Sequence, residues 1–188
     1  MPDVYERRPV YENELIRLRP LEKDDAEALL QCYADPYAAP IFNADNCDDD
    51  FRYHTLEQMQ KAVDFWLYCY ENRFFLRWTI VDQALDLPIG TVEMFHKEAE
   101  DGVHHTGVLR LDLRSSHETR GYVNAVLAEC VRHFYEDFNV VTIYTKAVPT
   151  AVERRVALEA CGFEPLAVGP FGKDDYFARS VPVPNEKG

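Results

Sequence analysis

The sequence predicts a mixed α/β fold, a central sheet with helices on both faces. Apolar and charged residues alternate early in the chain, three β-rich runs then follow one another, and the last third switches between helical and strand periods. Consecutive strands favour an antiparallel meander, and a strand–helix–strand–helix–strand passage favours a parallel crossover beside it. The predicted order is β-α-α-β-β-β-α-β-α-β-β.

Each element has its own local reason. Glu14-Leu15-Ile16-Arg17-Leu18-Arg19 alternates as a half-buried strand does, and Pro20 ends it. Asp24 and Asp25 suit the positive end of a helix whose apolar positions are Ala26, Ala28, Leu29, Leu30 and Tyr33. Residues 38–53 show no period and are expected as a loop. Thr55 with Gln58 forms a capping box for a long helix carrying Met59, Ala62, Val63, Trp66 and Tyr70 at helical spacing. Phe74 to Val81, Ile89 to Phe95 and Val108 to Leu113 are β-branched and aromatic, with loops at Ala84 to Pro88 and a turn at Asp101-Gly102. Gly121 to Phe138 is predicted helical, Val140 to Thr145 a strand, Val152 to Ala160 a helix stopped by Gly162, and Tyr176 to Val183 a last strand. The tail from Pro182 is expected to fray.

A chain of 188 residues suits one domain, taken as residues 1–188, and 47% hydrophobic and 13% aromatic residues exclude disorder of the main body. Its net charge of −13 disfavours nucleic acid and anionic membrane surfaces and attracts a cationic amine. The five cysteines follow no framework spacing, which predicts free thiols in a reducing compartment. The first residues lack a signal-peptide apolar core, and no run reaches membrane-spanning length. A cytoplasmic protein is expected, and a homodimer is compatible with the sequence.

Three phrases sharpen this reading. They are Ile16-Arg17-Leu18-Arg19-Pro20-Leu21 before an Asp-rich helix start, Leu87-Pro88-Ile89-Gly90-Thr91-Val92, and Glu153-Arg154-Arg155-Val156-Ala157-Leu158-Glu159-Ala160-Cys161-Gly162-Phe163. With the element order, they resemble the GNAT superfamily of N-acetyltransferases, nearest its ribosomal-protein-modifying branch, over roughly residues 14–168. The resemblance implies a mostly antiparallel sheet whose parallel fourth and fifth strands splay apart. It implies acetyl transfer from acetyl-CoA to a primary amine, on a small molecule or a protein N-terminus. It also implies a substrate cleft between the first two helices and the central hairpin.

In that family a glycine-rich loop and the following helix start bind the coenzyme A pyrophosphate through backbone amides. The corresponding residues here are Arg114, His117, Glu118, Thr119, Arg120, Gly121 and Tyr122, with the backbone of Leu111 and Leu113 aligning the pantetheine arm. Thr119 stands at the first glycine, Ser116 at the basic or amide position, Ala151 at the asparagine and Leu158 at the general-acid tyrosine. A threonine held left-handed costs about 1–2 kcal/mol and a lost hydrogen bond about 1 kcal/mol. The sum predicts affinity lower by about one to two orders of magnitude. Arg114, Arg120, Lys146, Arg154 and Arg155 either receive the anionic cofactor or pair with Glu118, Glu153 and Glu159. The alternative to an enzyme is a GNAT-fold binding module that has lost the coenzyme site.

The remaining candidates each have a plain rival. Glu93, inside an apolar strand, is a general base if buried and unremarkable if it faces solvent. Tyr144 is a general acid or a packing residue, and His117 a phosphate contact or an exposed loop histidine. His104-His105 completes no metal-ligand set, so no metal is predicted. Asp45-Asn46-Cys47-Asp48-Asp49-Asp50 lacks the spacing and glycine of a calcium loop and reads as a surface loop or an acidic rim. Tyr37, Phe42, Phe51, Tyr53, Trp66 and Trp78 line a cleft or fill the core.

Overall fold

The computed structural model describes residues 3–45, 47, 49–97 and 105–181. Asn46 and Asp48 of the acidic run, the Asp101-Gly102 turn, His104 and the tail from Pro182 lie outside the described residues. The helices are α1 (Val4–Arg7), α2 (Ala26–Tyr33), α3 (Leu56–Glu71), α4 (Arg120–Asp137) and α5 (Val152–Ala160). The strands are β1 (Tyr11–Glu12), β2 (Ile16–Pro20), β3 (Leu76–Asp82), β4 (Leu87–Lys97), β5 (Thr106–Leu113), β6 (Thr142–Lys146), β7 (Glu164–Pro165) and β8 (Tyr176–Ser180). They form one sheet in the order β1-β2-β3-β4-β5-β6-β8-β7. Only the β5–β6 pairing is parallel among the described residues.

Local chemistry explains most boundaries. In β2 the alternation buries Ile16 and Leu18 completely while Arg17 and Arg19 stay half-exposed. At the start of α3, Gln58 N–H donates to Thr55 Oγ1 at 3.2 Å and Thr55 N–H to Gln58 Oε1 at 3.1 Å, the reciprocal capping box. Gly162 follows α5 with φ of 81°, a left-handed stop that favours glycine. Gly90 answers a different need, since a Cβ there would run into the Asp112 carbonyl oxygen of β5. The helix α1 and strand β1 have four and two residues, too short to display a period.

Asp25 is more than a helix-start charge: it is 4% exposed, paired with Arg19 and hydrogen-bonded by Thr79 at 2.7 Å. The described residues between 38 and 53 are irregular as expected, with one 3₁₀ turn at Ala39–Ile41, yet Phe42, Phe51 and Tyr53 are buried. They join α2 and α3 in one apolar cluster, while a second cluster packs α4 and α5 on the other sheet face. All five cysteines are free thiols. Among the described residues no helix is long and apolar enough to cross a membrane.

Candidate functional site

Two features stand out, a gap in the sheet and a cleft beside it. β5 pairs with β6 from Thr106↔Thr142 to Leu109↔Thr145, and its last residues, through Leu113, have no β6 partner. The strands therefore splay where the loop before α4 and the first turn of α5 converge. Arg154, 2% exposed, fills that gap from α5. Its Nη1 donates to the Leu111 carbonyl oxygen at 2.7 Å. Its Nε and Nη2 donate to Glu118 Oε1 and Oε2 at 2.6 and 2.7 Å, a bidentate charged pair.

The amides of the adjoining loop are also engaged. Ser115 N–H donates to Asp35 Oδ2 at 2.9 Å, and Arg120 N–H to Glu153 Oε2 at 3.3 Å. His117, Glu118 and Thr119 N–H donate to carbonyls within the loop. Burial opposes the Asp35 charge, but donors on Ser115, Tyr37 and Ala38 outweigh it and hold the carboxyl below its usual range. Thr119 has φ of −113° and carries no left-handed strain, which corrects the expected penalty at that position. Gly121 lies in the first turn of α4 with open space above its Cα.

The other loop residues have partners within the fold. Arg114 Nη2 donates to the Ala28 carbonyl oxygen at 3.0 Å. Tyr122 OH donates to Asp82, and His117 Nε2 lies 3.4 Å from the same carboxylate. Two of the expected ion pairs are present, Arg154 on Glu118 and Arg120 on Glu153, while Lys146 pairs with Asp45 and Glu159 has no ion pair among the described residues. Arg155 donates to the Ala147 carbonyl oxygen and stacks on Phe177.

The cleft lies on the sheet face covered by α2 and α3. Register aligns Arg77, Glu93 and Arg110 in one row across β3, β4 and β5, and Thr79, Thr91 and Asp112 in the next. Arg77 pairs with Glu93 and donates to Tyr33 OH and Thr91 Oγ1 at 2.9 and 3.0 Å. Burial works against the Arg77 charge, and Glu93, Tyr33 and Asp112 outweigh it, so its pKa stands above the ordinary arginine value. The Tyr33 hydroxyl also donates to Asp112 Oδ2 at 2.9 Å. Trp66 lies 3.9 Å from the Arg77 guanidinium and Phe51 lies 3.6 Å from that of Arg110. Above this floor opens a cleft of about 920 Å³ walled by phenylalanines, with Asp49 and Asp50 at its rim.

Glu93 thus departs from both expectations, being 5% exposed but ion-paired rather than apolar in its surroundings. Tyr144 sits half-buried in β6, opposite Val108 and Ala178, and does not line the cleft. Of the six aromatics anticipated there, Phe51 and Trp66 line it. Phe42 and Tyr53 pack on Tyr33, Tyr37 is 81% exposed, and Trp78 lies on the opposite face. Sequence reasoning missed Arg77, Arg110 and Asp112, and it named Arg154 only as one member of a basic cluster. The available signal was a charge at alternate positions of three successive apolar strands.

Comparison with known proteins places this geometry. No curated protein matches the chain in sequence. In structure it is similar to Mycobacterium smegmatis RimJ in complex with CoA-disulfide, with TM-score 0.70 and 16% identity over 88% of this chain and 82% of that one. It is similar also to the ribosomal-protein-S5-alanine acetyltransferase of Vibrio fischeri, with TM-score 0.68 and 16% identity over 92% and 96% of the two chains. A GNAT-family acetyltransferase of Bacillus anthracis gives TM-score 0.69 and 14% identity over 92% and 98%. Identities this low speak for the fold. The acetyltransferase (GNAT) domain family matches residues 16–164, most of the chain, and the protein belongs to that family.

Proposed function

We propose that this GNAT-family chain is a binding module, which keeps the ligand cleft of the fold and has closed the lane a coenzyme A arm would follow. The observation that carries this reading is Arg154, buried in the strand gap and bonded to Leu111 and Glu118. Displacing it gives up a bidentate charged pair and the bond to Leu111, which weakens any coenzyme that must take its place. A pyrophosphate at the start of α4 would also meet the carboxylates of Asp35, Glu118 and Glu153, two of which already hold loop amides. In this arrangement Arg154 and these carboxylates oppose coenzyme A, although Gly121 leaves open space at the start of α4.

Acetyl transfer from acetyl-CoA to a primary amine is the second reading, favoured by the family match over residues 16–164. It requires the Arg154–Glu118 pair to swing out of the gap. Thermal unfolding with coenzyme A and acetyl-CoA up to millimolar concentration separates the two. The binding-module reading expects no shift for the native protein. Ligand at a hundredfold its Kd adds about 2.7 kcal/mol, or about 5–10 °C for a small domain. A shift of that order, joined by thiol release above background with an amine panel, hands the protein to the second reading.

A further inference from the structure

We infer that the cleft binds a free α-amino acid with an apolar, preferably aromatic side chain. The carboxylate is received by Arg110, the ammonium by Glu93, and the side chain by the phenylalanine walls. The inference rests on the reading of this cleft as the working site of the protein.

Arg110 and Arg77 make the argument by contrast. Both are arginines in neighbouring strands, both are buried, and both lie against an aromatic ring. Arg77 has oxygen partners on both terminal nitrogens, Glu93, Tyr33 and Thr91, and only its Nε is without a partner among the described residues. Arg110, 5% exposed, has one oxygen partner, Asp112 Oδ2 at a long 3.3 Å, and a weak contact to Cys47 Sγ at 3.6 Å. Its Nε has no partner among the described residues. A guanidinium carries five donors, and leaving them dry and unused is unfavourable. A ligand carboxylate in the cleft meets that need, because planar bidentate recognition of carboxylate is what a guanidinium does best.

Glu93 supplies the opposite half. Its Oε2 accepts from Arg77, and no bond to Oε1 occurs among the described residues. Glu93 and Arg110 are register partners on β4 and β5, yet no ion pair joins them, because each leans toward a different neighbour. Side chains directly opposite on adjacent strands start about 4.5–5.5 Å apart. An ammonium and a carboxylate borne on one carbon can face two neighbouring groups of opposite charge in one row.

Charge selects the zwitterion over its halves. The floor holds Arg77 and Arg110 against Glu93 and Asp112 and is formally neutral. A ligand without net charge preserves that balance. A simple anion would be repelled by Asp49 and Asp50 at the rim, and a simple amine would leave Arg110 unanswered. The walls select the side chain, since Phe65 and Phe74 stand 59% and 60% exposed at the opening, where a ligand ring would cover them.

The test is a calorimetric titration of the full chain, without coenzyme, against L-phenylalanine, N-acetyl-L-phenylalanine, L-phenylalaninamide and glycine. L-phenylalanine should bind. The three analogues, lacking a free ammonium, a carboxylate or a side chain, should each bind at least about tenfold more weakly. Arg110→Met should abolish the preference for L-phenylalanine over its amide while circular dichroism and thermal unfolding show a folded protein. Arg110→Lys, which keeps a point charge, should retain part of it. Equal binding of the amide or of the acetylated analogue overturns the inference, as does the absence of binding by L-phenylalanine. None of these outcomes depends on the strand gap, and a coenzyme-induced shift of the native protein would overturn the binding-module reading without altering this result.

Discussion

On one face of the sheet Trp78 stacks on Phe134 at 4.7 Å, surrounded by Leu76, Ile80, Val92, Met94, Leu109, Leu111 and Leu113. On the other face the same strands present Arg77, Thr79, Thr91, Glu93, Arg110 and Asp112, and these are buried just as completely. The first face is held by area and shape, which favour any well-packed apolar set. The second is held by pairing, in which each charge depends on a named partner. A sheet needs only one apolar face to fold against helices. Burying a charged one is weak evidence for stability and better evidence for a specified site.

The two faces can be set against each other by mutation. Trp78→Ala should produce the largest loss, about 3–5 kcal/mol by urea denaturation, because the cavity cannot collapse between strands and α4. Glu93→Leu alone should approach that loss, since it leaves the Arg77 charge buried without its main partner. The decisive variant is Arg77→Met with Glu93→Leu. If the charged face serves a site rather than the fold, the double variant should recover most of the stability lost in the single one. No recovery would mean that the network is structural after all.

Smaller effects probe what covers the charged face. Thr55→Ala removes the cap of α3, whose Trp66 roofs Arg77, and should cost about 1 kcal/mol in thermal unfolding. The smallest effect is a pH response at the loop before α4. Asp35 has a folded pKa below its ordinary 3.8, so its contribution is complete above that pH and is lost as pH falls below it. Asp35→Asn should flatten the acid limb of the stability curve below about pH 4 and leave the pH dependence near neutrality unchanged. An unchanged acid limb would assign the acid response to other carboxylates.

This comparison also explains how far the sequence could be read. The apolar face was legible, because Ile16 and Leu18 alternate and Val123, Val126, Leu127 and Cys130 recur at helical spacing. Those periods are local, and the elements they predicted are present within a residue or two of the expected ends. The charged face was not legible as a network. Arg77, Glu93 and Arg110 stand 16 and 17 positions apart, and only the β3–β4–β5 register makes them a row. Glu93 was visible alone, as a carboxylate in an apolar strand, and a lone carboxylate suggests a base where the assembled row supplies an ion pair. Arg154 was visible as part of a basic cluster, but its reach across the gap to Leu111 depends on how α5 docks. Short elements such as β1 carry too few residues for any period.

The Arg154 side chain also changes what the fold's stability depends on. A gap filled by a dissociable molecule is stabilised only in proportion to the logarithm of that molecule's concentration over its Kd. A side chain tethered to α5 fills the gap at a fixed effective concentration, whatever the cell holds in solution. On the binding-module reading, the strand gap would therefore stay filled whatever the solution contains.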